Sequence, residues 1–167
     1  CIAAPGRHWV MNSLGVLGAV HALDGDVVAA AAAFATMKPL DGRGRRHRIA
    51  VAGGEADLID ESYNASPASM RAAIAVLGAS APGPGGRRIA ILGDMLEMGD
   101  DAPALHAALA EPLAEAGIDL VFTVGGETEA LDRALPKAMR GGHDTTAAAM
   151  ADRIAAQLRA GDIVTVK

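Results

Sequence analysis

The segment LIDESYNASPASMRAAI, residues 58–74, gathers most of the polar chemistry of an alanine-rich chain. Asp60 and Glu61 are adjacent acids, and carboxylates of this kind hold a ribose hydroxyl or, as hard oxygen ligands, a divalent cation. Asn64 offers a donor and an acceptor on one amide. Tyr63, the single tyrosine, presents a flat face and a hydroxyl. Ser66 and Pro67 then open a predicted helix, whose first turn favours an anion. A second polar cluster, GDMLEMGDD over 93–101, places Asp94 directly after a strand glycine and Glu97 three residues later. A third, GGETE over 125–129, reads as ordinary loop polarity with helix capping. The basic run RGRRHR over 43–48 reads as a solvated loop or as an anion contact.

Several chemistries are disfavoured by what the sequence lacks. It contains neither the G-x-x-x-x-G-K-[ST] phosphate loop nor a G-x-G-x-x-G run after a strand, so a nicotinamide-dependent dehydrogenase is a poor fit. Its five histidines lie apart and its one cysteine is remote from them, which argues against a structural zinc site. Ser13, Ser62 and Ser69 lack the strand–turn–helix setting of a hydrolase nucleophile. One cysteine allows no disulfide within the chain and fits a reducing, cytoplasmic setting. The net charge of -5 is spread along the sequence, unlike the clustered basic surface of a nucleic-acid binder. No apolar run reaches the roughly 18 residues of a membrane span.

The elements that must position these clusters follow from periodicity. Residues 9–23 and 27–37 predict two helices, the second capped by Asp26 and buried or half-buried. KPLDGRGRR, beginning at Lys38, reads as an interdomain linker over 38–47. Strands over 48–53 and 56–61 then predict a hairpin around a Gly-Gly-Glu turn. A helix follows over 67–77, with Ser66 as its cap. Strands over 88–93 and 119–125, a weak one over 138–143 and a last one over 162–167 alternate with helices over 102–116, 128–135 and 146–160. That rhythm predicts an α/β fold, a Rossmann-like and mostly parallel sheet flanked by helices. In such sheets ligands collect beyond the carboxyl ends of the strands, where all three polar clusters fall.

The stretches IDESYNASPASM and RRIAILGDMLEMGDDAPALH resemble the carboxyl-terminal domain of the Mur ligase family, and PGRHWVMNSLGVLGAV resembles the helix that closes its central ATPase domain. The resemblance covers essentially the whole chain, in order. It implies residues 1–37 as the helical end of the central domain, 38–47 as linker and 48–167 as the carboxyl-terminal domain. The pattern is nearest to members that add D-alanyl-D-alanine to UDP-N-acetylmuramoyl-tripeptide. Sister Mur ligases and a non-catalytic α/β binding module are the competing readings. There are departures: Trp9 stands where the family often has asparagine, Ser66 replaces a second asparagine, and Glu61 takes a position that is often aspartate.

The resemblance implies an ATP- and Mg2+-dependent ligase acting through an acyl phosphate, with the carboxyl-terminal domain closing over the nucleotide. It assigns Asn12 to the adenine side or to a hydrogen bond of its own helix. Arg43 becomes a contact to the ATP phosphates or a solvated linker charge. Asp60, Glu61 and Asn64 fall near the nucleotide, and Tyr63 near the nucleotide or the dipeptide. Asp94 and Glu97 serve the dipeptide amine or brace their loop, and His106 packs or braces. The phosphate loop and magnesium ligands belong to an upstream domain in this reading, so the chain is expected to be truncated at both ends, monomeric, and unable to ligate alone.

Overall fold

The computed structural model describes Ile2 and residues 6–167. The chain divides into two compact units, Cys1–Leu40 and Asp41–Lys167. In the first unit, α1 (Arg7–Ala22) and α2 (Val27–Ala33) pair across a short turn. Asp26 caps α2 as expected, its side chain accepting the Ala29 amide at 2.9 Å. This helix stops four residues before Met37, where the Thr36 hydroxyl turns back onto the Ala33 carbonyl. It is also mostly exposed rather than buried, with Val28 at 80%. Two short helices can cover only one stripe of each other.

The second unit is a six-stranded sheet in the order β1-β2-β6-β3-β4-β5. The strands are β1 (Arg45–Val51), β2 (Gly54–Asp60), β3 (Arg88–Gly93), β4 (Leu120–Val124), β5 (Arg140–Asp144) and β6 (Ile163–Val166). Only β1 runs antiparallel, paired with β2 from Val51↔Gly54 back to Arg45↔Asp60. The remaining pairings are parallel. The α/β class and the hairpin therefore stand, while β1 begins three residues earlier than predicted and takes in Arg45, Arg46 and His47.

Alternation along the central strands sends side chains to two cores. Ala90, Leu92, Val121 and Ile163 join Met70, Leu77, Leu113 and Leu131 on one face. Ile89, Phe122 and Val164 join Met150 and Leu158 on the other. The first face is covered by α3 (Pro67–Ala79), α4 (Ala102–Ala107), α5 (Ala110–Glu115) and α6 (Glu129–Ala134), the second by α7 (Ala147–Ala155). Strands buried on both sides must be apolar at consecutive positions, as RIAILG and LVFTV are.

The helix predicted over 102–116 is interrupted. Pro112 has no amide to give the Ala108 carbonyl and tolerates only the first turn of a helix, so α4 ends and α5 restarts. The last helix ends at Ala155 rather than near Ala160. The buried Asp162 carboxylate accepts the Arg159 amide at 3.0 Å and shapes the turn into β6.

Candidate functional site

Parallel pairing of β2, β6 and β3 brings the carboxyl ends of β2 and β3 to one rim of the sheet, with β6 between them. Two strand spacings separate them, about 10 Å. Because β1 runs the other way, its beginning lies at that same rim, beside Asp60. The rim therefore carries Arg43, the segment Asp60–Asn64, the loop from Asp94 to Glu97 and the turn after β4.

Asp60 organises the first cluster. One carboxylate oxygen accepts the Gly42 amide at 2.9 Å, and the other accepts the Ser62 hydroxyl at 2.6 Å and the Ser62 amide at 3.1 Å. The Ser62 hydroxyl is the main cause that lowers the carboxyl pKa. Burial opposes it, and the amides of Ser62 and Gly42 and the charge of His47 add to it. The Tyr63 amide donates to the Gly42 carbonyl at 3.1 Å, and the Gly44 amide to the Asp60 carbonyl at 2.7 Å. Gly42 sits at φ +72°, and a Cβ there would lie 2.9 Å from Tyr63 backbone and side-chain atoms. Only glycine permits this approach. The segment before β1 is thus knotted to the loop after β2.

Arg43 lies over the Tyr63 ring, its guanidinium carbon 4.0 Å from the centroid, a cation–π contact. Tyr63 remains two-thirds exposed, and Asn64 and Arg43 are exposed as well. These groups face solvent while the knot behind them is closed. Lys167, just past β6, donates from Nζ to the Asn64 carbonyl at 2.8 Å and the Glu61 carbonyl at 3.2 Å. Burial lowers its pKa; the Glu61 charge opposes that shift and the Arg43 charge adds to it.

The second cluster is braced in a similar way. The Asp94 carboxylate accepts the Thr128 amide at 2.8 Å and the Glu127 amide at 3.1 Å. Gly125, at φ +123°, leaves room for that carboxylate, which a Cβ would meet at 2.3 Å. The third polar cluster thus supplies donors to the second. His106 is fully buried, accepting the Met95 amide at Nε2, 2.8 Å away, and donating from Nδ1 to the Ala102 carbonyl at 2.7 Å. The expected packing or loop-bracing role describes it. Between these anchors Leu96 is 72% exposed and Glu97 adopts φ +63°, a left-handed conformation uncommon away from glycine.

The structure therefore gathers Arg43, Asp60, Glu61, Tyr63 and Asn64 into one knot and sets Asp94 and Glu97 on the same rim. Asp60 and Asp94 have their carboxylates engaged by backbone amides, and the solvent-facing chemistry falls to the residues they hold. Asn12 is an exposed residue of α1, in the other unit. Among the described residues no three His, Cys, Asp or Glu side chains gather to hold a metal ion. Sequence reasoning missed Lys167 and Gly42. The signals were a lysine ending an apolar strand and a glycine flanked by charged residues.

An open, mostly parallel α/β sheet covered on both faces defines a domain of the doubly wound kind, a class in which ligands gather at the strand-end rim. The chain belongs to the Mur ligase family: residues 42–167 match the profile described as "Mur ligase, glutamate ligase domain". It is 36% identical to the UDP-N-acetylmuramoyl-tripeptide--D-alanyl-D-alanine ligase of Escherichia coli K12, over 78% of this chain and 27% of that protein. The enzyme of the same name from Mycobacterium tuberculosis H37Rv is 32% identical over 97% of this chain and 35% of its own length. A crystal structure of MurF from Acinetobacter baumannii superposes with a TM-score of 0.78 at 25% identity, covering 99% of this chain and 35% of that one. The Thermotoga maritima MurF ligase in complex with ADP gives 0.76 at 23%, over 98% and 35%. The chain thus spans about a quarter to a third of the length of these relatives. No helix among the described residues is long and apolar enough to cross a membrane.

Proposed function

We propose that this chain is the carboxyl-terminal part of an ATP-dependent ligase that adds D-alanyl-D-alanine to UDP-N-acetylmuramoyl-tripeptide during peptidoglycan precursor synthesis. The observation that carries the reading is the convergence of the Arg43–Tyr63–Asp60 knot and the Asp94–Glu97 loop on one rim. The similarity to enzymes of that name supports it. In this reading 1–37 closes the central ATP-binding domain, 38–47 links, and 48–167 is the carboxyl-terminal domain.

The rim has groups that fit a nucleotide. The Arg43 guanidinium, exposed on the Tyr63 ring, suits a phosphate oxygen, and the Glu61 carboxylate suits a ribose hydroxyl. Asn64 serves the nucleotide as well, and Asn12 the adenine from the first unit. Tyr63 and Glu97 face the incoming dipeptide. Asp60 and Asp94 act on both ligands through the loops they shape. Mg2+, held in this reading mainly by the central domain, would offset charge on the ATP phosphates. Closure of the rim over the reactants excludes water from the acyl phosphate that the dipeptide amine attacks. The protein works as a cytoplasmic monomer on small molecules, without nucleic-acid or membrane partners.

The test is phosphate release by the longer protein that carries this chain, with ATP, Mg2+, UDP-N-acetylmuramoyl-tripeptide and D-alanyl-D-alanine. Release should require all four, and this chain alone should give none. Turnover independent of the dipeptide would overturn the assignment, as would turnover by residues 1–167 alone.

A further inference from the structure

The two polar clusters of the rim share one residue that neither contains. The Lys167 amide donates to the Ile91 carbonyl at 2.9 Å, and its carbonyl accepts the Gly93 amide at 2.7 Å. Its backbone is therefore stitched to the end of β3, immediately before Asp94. Its side chain leaves in the other direction and reaches the loop after β2, where Nζ binds the Asn64 and Glu61 carbonyls. Those carbonyls flank Tyr63, the residue that carries Arg43 on its ring. The Glu61 amide completes the link by donating to the Val166 carbonyl at 2.9 Å.

An ammonium has three donors and no acceptor, so two carbonyls converging on it fix the turn between them in one geometry. A neutral side chain of the same length would leave both carbonyls to water and the turn to fluctuate. The lysine is partly buried and still close to the Glu61 carboxylate and the Arg43 guanidinium. This placement concentrates its effect on the residues that the proposed function assigns to ligands.

We propose that Lys167 is a positioning residue of the ligand-binding rim: by holding the Glu61 and Asn64 carbonyls from the end of β6, it sets Tyr63, Asn64 and Arg43 in register with the Asp94–Glu97 loop. This rests on the functional reading above for what the rim binds, but not for the brace itself. The geometry calls for a loss of ligand affinity, not of folding, when the ammonium is removed.

Two measurements separate these layers. The first is hydrogen exchange in the chain itself, at the Ser62 and Tyr63 amides, which are bonded to Asp60 and Gly42. Lys167→Met should speed their exchange roughly ten-fold or more, as expected on losing charge-assisted bonds, and Lys167→Arg should restore most of the protection. Amides in the centre of β3 should be unchanged, which reports that the sheet remains folded. The second measurement is steady-state kinetics of the longer protein. Lys167→Met should raise KM for ATP or for the dipeptide by about ten-fold or more while kcat changes little, with Lys167→Arg intermediate. Unaltered exchange in Lys167→Met overturns the brace. Faster exchange with unaltered KM overturns the positioning role. A wild-type protein that does not ligate overturns the functional reading instead, and the exchange rates then decide the brace alone.

Discussion

Asp94 and His106 show how single side chains fix the second loop through backbone amides. The Asp94 carboxylate takes two amides from the turn before α6, and His106 takes the amide of Met95. Removing the Asp94 carboxylate leaves the amide of buried Thr128 without its partner, which costs about 1–3 kcal/mol, while the exposed Glu127 amide turns to water. Asp94→Ala should therefore lower the unfolding free energy from urea titration by an amount of that order, seen as a lower midpoint with an unchanged slope. Glu97→Gln, an exposed change, should leave the unfolding free energy within about 0.5 kcal/mol of wild type. A midpoint equal to wild type in Asp94→Ala would mean that the carboxylate does not brace this turn. The sequence left Asp94 open between chemistry and a loop brace, and it could not name the brace's partners, which lie 33 and 34 residues away. Lys167 is 106 residues from Glu61, and nothing local to either announces the contact.

At the scale of elements, local signals were legible where the deciding atoms were also local. Ser66-Pro67 opens α3 because the Ser66 hydroxyl accepts the Ser69 amide and the Ser69 hydroxyl accepts the Ser66 amide, a closed box within four residues. The hairpin was legible for the same reason, a tight turn between two short apolar runs. The break at Pro112 was written in the sequence too, yet the apolar period ran through it. The turn into β6 depends on a distant pair. The fully buried Asp162 carboxylate receives the Arg87 guanidinium at 2.7 Å, together with the amides of Arg87 and Arg159. Burial by itself raises its pKa, but Arg87 and the two amides outweigh burial and hold it below the ordinary 3.8. A lowered folded-state value means that the stabilisation is fully present above the ordinary value and is lost as pH falls through the folded one. Acid unfolding followed by circular dichroism should therefore show a loss of stability below about pH 4. Asp162→Asn should flatten that loss while lowering stability at pH 7. A variant with the same acid profile as wild type would remove Asp162 from the account.

The whole molecule contains two units, and every member of the two described apolar cores belongs to the second. A domain with its own core folds on its own terms. Residues 41–167 expressed without 1–40 should keep a single cooperative melting transition and the protection of the Ser62 and Tyr63 amides. Non-cooperative melting would show that the first unit supplies part of the fold.

The direction of β1 has one more consequence. Had the first strand run with its neighbours, the polypeptide would arrive at the opposite end of the sheet, some 20 Å from the strand-end loops. Running against them, it delivers Asp41–Gly44 to the strand-end rim itself, where the Tyr63 amide and the Asp60 carboxylate hold Gly42. The entry into the sheet and the loop that carries Tyr63 are therefore one piece, and displacing either would disturb the other.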